Sequence, residues 1–159
     1  MRKSFLFTAL LALGSATLLA GCGESGEKAV SEDAAKAIDY RQGAFQVIGW
    51  HFGPLGGMVK GEIDYDADLF ARNAERIAQV APMVLEGFAD KDQTHIGSDA
   101  KAAIWEDWDT FEQGMNRFEQ RAQVLAETAE SSDDLDEIRP KFKDVAETCK
   151  GCHDEFRVE

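Results

Sequence analysis

Residues 135–156 read LDEIRPKFKDVAETCKGCHDEF, and apolar or sulfur-containing side chains occur along them at alternating steps of three and four residues. These positions are Leu135, Ile138, Phe142, Val145, Cys149, Cys152 and Phe156. Such spacing places the side chains on one face of an α-helix, as in the seam of a left-handed helical bundle. The stretch therefore predicts a core-facing helix with two cysteines on its buried face, and Pro140 is expected to bend its first half.

A second segment has the same spacing and predicts a neighbouring helix of the same bundle. Its apolar positions are Ile104, Trp108, Phe111, Met115, Phe118, Ala122 and Leu125. The two seams together predict that both helices pack side by side around one core.

Two further helices are expected nearer the amino terminus. The first begins at about Glu32 after the capping residue Ser31, and the Gly53-Pro54 pair predicts an interruption and a kink. The second begins after Asp66, and Pro82 is expected to bend its last turns.

Turn-rich stretches at about 61–66, 89–99 and 130–134 separate the four segments, and none of the segments has the period-two alternation of a strand. The predicted fold is all-α, an antiparallel left-twisted four-helix bundle.

The seam helix ends in Cys149-Lys150-Gly151-Cys152-His153, a C-x-x-C-H string typical of covalent attachment of a c-type haem. The two thiols add across the vinyl groups of one porphyrin, and the neutral imidazole of His153 ligates the iron. Two alternatives are weaker. A thioredoxin-like pair should lie at a helix start within a βαβ pattern, and a zinc site would need a further ligand from His51 or His95.

The amino terminus has the pattern of an export signal. Arg2 and Lys3 precede an apolar run over 5–19 that is short for a membrane span, and the run stops at Leu19-Ala20-Gly21-Cys22. This ending resembles a bacterial lipobox, in which Cys22 is lipidated, although ordinary secretory cleavage nearby is the alternative. We expect a signal peptide over 1–21, a flexible tether over 22–31 and one domain over 32–159.

The three cysteines are then all assigned, which leaves no disulfide in an exported chain. The formal net charge is −13, and the leader contributes two basic residues and no acidic one. This acidity argues against nucleic acid as a partner and favours a basic redox protein, with the acyl chains on Cys22 as the attachment to the membrane.

From about residue 38 to 157 the chain resembles the cytochrome c′ family, the class II c-type cytochromes. The matching stretches are Tyr40-Arg41-Gln42, His51-Phe52-Gly53, Val59-Lys60-Gly61, Asn73-Ala74-Glu75-Arg76, Ile104-Trp105, Asp107-Trp108, Cys149–Asp154 and Phe156-Arg157. The export signal leads us to expect a periplasmic protein. The resemblance implies one haem c, whose high-spin iron is held by His153 and is free of protein ligands on its other side.

Six-coordinate relatives of this fold carry a methionine one turn after the Tyr-Arg-Gln string, where this chain has Phe45. A phenyl ring cannot ligate iron, so we expect five-coordinate iron with Phe45 on the distal side. Phe45 offers no hydrogen-bond donor to a bound gas, which disfavours dioxygen. The resemblance points to nitric oxide or carbon monoxide as ligands.

Two arginines are candidates for haem contact because each lies one helical turn from a predicted site residue. Arg41 precedes Phe45 and is expected either to reach the haem edge or a propionate, or to be a solvated surface residue. Arg157 follows His153; the alternative to a proximal role is a helix-terminal arginine favoured by the helix dipole, and the resemblance favours the proximal role.

The remaining candidates are given structural or surface positions. Met83 and Met115 are expected to be core filler, and Met58 is too far from Phe45 to ligate. We expect Trp50, Trp105 and Trp108 to be packing groups, and His51 and His95 to be surface or loop residues.

The resulting hypothesis is an exported protein that sequesters or carries nitric oxide, and not an enzyme. The alternative is an electron carrier between a membrane donor and a periplasmic acceptor; slow enzymatic reduction of nitric oxide is weaker, because no proton-delivering residue is visible near Phe45. The resemblance also implies a homodimer through the first two helices.

Overall fold

The computed structural model describes residues 30–89 and 97–158. The predicted leader, the lipidation residue Cys22, most of the tether and His95 lie outside these ranges. The described chain forms α1 (Glu32–Lys60), α2 (Ala67–Glu86), α3 (Ala103–Glu106), α4 (Trp108–Ser131) and α5 (Leu135–Phe156). Within the described ranges, the only extended pairing is a single bridge between Ala100 and Arg157. The predicted all-α four-helix bundle is therefore confirmed, with α3 as a one-turn addition.

Side-chain caps fix where α1 and α2 begin, as their sequences predict. The Ser31 hydroxyl accepts from the amide of Ala34 at 3.2 Å, and the Asp66 carboxylate accepts from the amide of Leu69 at 2.9 Å. Each cap satisfies one of the amides that the first turn of a helix leaves without an intrahelical partner.

The expected interruption of the first helix is wrong, because α1 continues through Pro54 to Lys60. Leu55 and Met58, just after the proline, are almost completely buried. Their packing offsets the one backbone hydrogen bond that Pro54 cannot donate. Likewise α2 continues past Pro82 and α5 past Pro140.

The third predicted helix, in contrast, is broken at Asp107. This residue has φ −127° and ψ 62°, outside the helical region, and its carboxylate accepts from the amide of Thr110 at 3.4 Å to cap α4. An aspartate competes with the helical backbone for hydrogen bonds in this way. The segment therefore divides into the short α3 and the long α4.

The core lies where the predicted seams meet. Buried seam residues are Ile104, Phe111, Met115, Phe118, Ala122, Leu125, Ile138, Phe142, Val145 and Phe156, whereas Trp108 is only partly buried. Helix α2 packs against α1 and α4, and α4 packs against α5, while the backbones of α1 and α5 lie further apart and meet through long side chains such as Phe52 and Phe142. This leaves a space between α1 and α5. Among the described helices, none is long and apolar enough to cross a membrane.

Candidate haem site

A cavity of about 550 Å³ occupies the space between α1 and α5. Its apolar wall is formed by Phe45, Ile48, Phe52, Phe88, Ile104, Phe111, Met115, Phe118 and Phe156. Cys149, Cys152 and His153 line the same cavity from α5, so the structure brings the whole C-x-x-C-H string to one concave surface. The volume is within the range of about 300–1,000 Å³ found for ligand and cofactor sites.

The two cysteines lie in the last turns of α5, both partly buried as free thiols. Burial raises the pKa of Cys149, and burial together with the nearby Cys149 and Glu155 raises the pKa of Cys152 to about 11. A thioredoxin-like pair requires the opposite, a helix amino terminus and a lowered thiol pKa. The geometry and the charge environment therefore exclude that alternative and fit two neutral thiols held beside a porphyrin.

His153 lies at the rim of the cavity. Partial desolvation and the positive charge of Arg157 lower the pKa of the imidazole, which Asp154 opposes. The neutral imidazole is the form that binds a metal. The surroundings of His153 therefore favour its ligating form near neutral pH.

Phe45 faces His153 across the cavity, with 6.3 Å between the two ring centroids. A flat macrocycle in contact on both faces needs about 7 Å between the groups above and below it. Because the two rings already meet edge to face, these side chains would have to move apart to admit a porphyrin. Phe45 is 36% exposed and also packs edge-on against Phe88 at 6.4 Å.

The expectation that this side of the cavity lacks hydrogen-bond donors holds for Phe45 and not for the whole wall. Gln42 and Gln46, on the same helix as Phe45, also line the cavity and are exposed. The wall near Phe45 therefore includes two side chains that carry amide donors.

Arg41 is buried, so its interpretation as a solvated surface residue is wrong. Its guanidinium donates to the carbonyl of Gly87 at 3.3 Å and to the hydroxyl of Ser98 at 2.6 Å. The guanidinium carbon lies 4.8 Å from the ring centroid of Phe88 and 5.8 Å from that of Trp105, within cation–π range. Burial lowers the Arg41 pKa, and an arginine remains charged under these conditions.

Arg157 ends α5 and also lines the cavity. Its guanidinium donates to the Asp99 carboxylate at 3.3 Å, and both side chains remain more than half exposed. The cavity thus has one buried and one exposed arginine at its edge.

Sequence reasoning missed three residues that support these arginines. Phe88 follows α2, and Ser98 and Asp99 precede α3, in a stretch interpreted only as a loop. Nothing in their local sequence distinguishes them, because their partners are 47–58 positions away.

His51 contacts Asn73 rather than a metal. Its Nδ1 lies 2.7 Å from the Asn73 side-chain oxygen, and the Asn73 amide donates to the carbonyl of Leu69 at 2.8 Å. Over residues 30–89 and 97–158, His, Cys, Asp and Glu form no cluster suited to a metal ion. The structure gives the zinc alternative no support in these ranges, and His51 joins α1 to α2.

Two packing predictions are wrong, whereas those for Met115, Trp105 and Trp108 are confirmed by their packing in or against the core. Trp50 is 79% exposed and Met83 is 45% exposed, so neither fills the core. Met115 is buried, and the indole of Trp105 donates to the carbonyl of Phe88 at 3.2 Å. The exposed pair lies on α1 and α2.

A family model described as Cytochrome C′ matches residues 36–157. Cytochrome c′ of Halomonas halodenitrificans is 42% identical over 127 residues, which cover 77% of this chain and 96% of that protein. The structure of cytochrome c prime from Shewanella frigidimarina has a TM-score of 0.76 and 37% identity, covering 81% of this chain and 99% of that one. The nitric oxide complex of a leucine-to-isoleucine mutant of cytochrome c prime from Alcaligenes xylosoxidans has a TM-score of 0.71 and 32% identity, covering 79% and 97%. With its cavity, its paired thiols and these relatives, the chain belongs to the cytochrome c′ family and carries covalently bound haem c.

Proposed function

We propose that this protein binds nitric oxide, and also carbon monoxide, on five-coordinate haem iron and thereby scavenges or carries nitric oxide. One observation carries the proposal: the residue that faces His153 across the cavity is Phe45, which has no atom able to ligate iron. Two variants of a relative with 32% identity, the cytochrome c prime from Alcaligenes xylosoxidans, have structures with bound nitric oxide, which supports it.

Each site residue has a distinct role in this proposal. Cys149 and Cys152 would hold the porphyrin by thioether bonds, and the imidazole of His153 would ligate its iron. The haem supplies an iron that binds a diatomic gas. Phe45 keeps the opposite face apolar, which disfavours water as a sixth ligand.

The arginines hold the haem edge. Arg41 is already charged and buried beside the apolar wall, so a propionate reaching it gains a charge-assisted hydrogen bond in a desolvated place. Arg157 acts from the His153 side, where its charge lowers the pKa of the imidazole.

The decisive experiment is the optical and resonance-Raman spectrum of the purified ferrous protein with and without nitric oxide. We expect a high-spin five-coordinate spectrum that changes when nitric oxide is added. A six-coordinate low-spin spectrum with no gas-bound form would contradict the proposal.

A matched pair of variants tests the position of Phe45. Phe45→Met should convert the iron towards six-coordination, because a thioether then faces His153. Phe52→Met is the control, because Phe52 lines the same cavity from the same helix while stacking on Phe142 at 4.6 Å. If Phe45→Met keeps the same five-coordinate spectrum as the control, Phe45 does not lie near the iron.

Electron transfer is the second candidate function, and the formal charge of −13 favours it, because such a surface attracts a basic redox protein. The six-coordinate spectrum described above would leave this function in place of gas binding. A non-enzymatic role is proposed in either case.

We also propose export to the periplasm with a lipid anchor on Cys22, on the strength of the sequence alone. Mass spectrometry of the mature protein should find an acylated Cys22 at its amino terminus. A Cys22→Ser variant that stays in the membrane fraction would contradict the anchor.

A homodimer through α1 and α2 is proposed from the family resemblance and from an exposed stripe on α1. Tyr40, Val47 and Trp50 lie at helical spacing on this stripe and are 41%, 43% and 79% exposed. Apolar groups of this size favour burial in an interface. Sedimentation should show a dimer that Trp50→Glu dissociates; an unchanged monomer would contradict it.

A further inference from the structure

The segment 97–101, between α2 and α3, touches both arginines of the cavity with two consecutive residues. The Ser98 hydroxyl accepts from Arg41 at 2.6 Å, and the Asp99 carboxylate accepts from Arg157 at 3.3 Å. Both residues of the segment also line the cavity. Two arginines from opposite ends of the chain are thus bound by one short stretch.

Backbone hydrogen bonds fix this segment to the end of α5. The amide of Lys101 donates to the carbonyl of Phe156 at 2.9 Å, and the amide of Val158 donates to the carbonyl of Asp99 at 2.8 Å. The resulting bridge pairs Ala100 with Arg157, four residues after His153. The segment therefore keeps a fixed position relative to the residue proposed to ligate the iron.

We propose that Asp99 is a positioning residue of the haem site: its ion pair with Arg157 keeps the Asp99 carboxylate at the cavity rim, where its negative charge offsets the charge of Arg157 near the iron. The inference rests on the proposed attachment of haem at His153 and not on which gas binds. An arginine has about 2 kcal/mol of rotamer entropy, so its charge has a defined place only if a partner holds it. Arg157 in turn keeps the exposed Asp99 carboxylate at the rim, so each residue of the pair restrains the other.

An ordinary exposed ion pair would have the same distance and contribute little to stability, about 0–1 kcal/mol. The Asp99–Arg157 pair differs from an ordinary ion pair in its effect on the oxidation state of the haem iron. A carboxylate held near the iron favours the ferric state, because the ferric haem has one more positive charge than the ferrous haem. Removing it should therefore favour the ferrous state.

The test measures the ratio of ferrous to ferric haem at a fixed ambient potential in the haem-loaded protein at low salt. We expect Asp99→Asn to raise this ratio about two- to fivefold. This factor corresponds to a loss of up to about 1 kcal/mol of interaction between the carboxylate and the ferric haem. Asp99→Glu, which keeps the charge, should stay near the original ratio. Asp136→Asn is the matched control, because Asp136 pairs with Arg139 at 3.8 Å at the other end of α5; it should leave the ratio unchanged.

Making Asp99→Asn in an Arg157→Gln variant distinguishes a carboxylate held in place by Arg157 from the loss of any negative charge at residue 99. Without Arg157, the Asp99 carboxylate is free to turn into water, so Asp99→Asn should then change the ratio by less than half as much. An equal factor in both backgrounds, or no effect of Asp99→Asn in the original chain, would overturn the inference.

Amide hydrogen exchange at Val158 provides a readout that is independent of the haem potential. Protection retained in Asp99→Asn, together with the raised ratio, supports an electrostatic effect with the bridge intact. A ratio that changes only in variants that lose this protection would overturn the positioning role. The ferrous to ferric ratio is measurable whether or not nitric oxide binds, so a failure of the gas-binding proposal would be seen separately.

Discussion

Gly87 allows the close approach that puts Arg41 beside the cavity. It ends α2 with φ −72°, which any residue adopts, so the glycine is not required for its backbone conformation. A Cβ atom at this position would lie 2.8 Å from the Cβ of Arg41 and 3.1 Å from the ring of Tyr40. Gly87→Ala should therefore push α1 and the end of α2 apart at the point where the Gly87 carbonyl accepts from Arg41.

The expected loss of stability in Gly87→Ala is the balance of two opposing effects. Overpacking costs about 1–3 kcal/mol, and the lower backbone entropy of the unfolded alanine variant returns about 0.4–1 kcal/mol. The net loss of about 1–2 kcal/mol corresponds to a fall in Tm on the order of 3–10 °C for a domain of this size. Thermal unfolding followed by circular dichroism on the haem-loaded protein measures the fall.

Gly43→Ala is the matched control and should have the opposite sign. Gly43 lies within α1 with nothing within 4 Å of its added Cβ, so alanine should stabilise the helix by about 0.5–1 kcal/mol. Because Gly43 lies on the proposed dimer stripe, sedimentation must show an unchanged oligomeric state. A Gly87→Ala variant as stable as Gly43→Ala would refute the argument that space, and not conformation, selects the glycine.

Three further predictions follow from single contacts. Asp66→Ala removes the cap on the Leu69 amide and should lower the free energy of unfolding by about 1 kcal/mol in urea titrations, whereas Asp66→Asn should cost less. In the haem-free precursor, the pKa of about 11 leaves Cys152 with about a hundredfold less thiolate than an ordinary thiol. The greater nucleophilicity of a thiolate with a high pKa partly offsets this loss of reactivity. Alkylation of Cys152 near pH 7.5 should be about tenfold slower than in denaturant and should accelerate as the pH rises towards 11; equal rates would show an exposed thiol. Asn73→Ala removes the oxygen beside His51 and should cost about 1–3 kcal/mol, which unfolding of the His51→Ala and double variants can assign to the pair.

The bundle was predictable because its seams repeat with the period of the helix. Phe111, Met115 and Phe118 on α4, and Ile138 and Val145 on α5, are buried as their spacing predicts. The caps Ser31 and Asp66 were equally predictable, because each acts on an amide three residues away. Both signals are local, so one sequence contains them fully.

Breaks within helices were harder to predict, because a local residue competes with distant packing. The sequence pattern predicted a break at Pro54, where α1 is continuous, and missed the break at Asp107, where α3 ends. At Pro54, the buried neighbours Leu55 and Met58 stabilise the helix from outside it. At Asp107, the side chain caps α4 and so replaces the helical hydrogen bonds it interrupts.

The residues of the functional site also differ in whether local sequence or distant contacts determine them. The spacing of Cys149, Cys152 and His153 specifies a cofactor without any knowledge of the fold, because all three residues act from one helix end. The residue opposite His153 depends on tertiary structure, because Phe45 reaches the cavity from a helix about a hundred residues earlier, and only the family resemblance made it predictable. The charges at the rim depend on still longer connections, because Asp99 meets Arg157 only where α5 ends beside the segment before α3. Substitutions at the motif should therefore abolish haem binding, whereas substitutions at these distant contacts should change which ligand and which oxidation state the haem prefers.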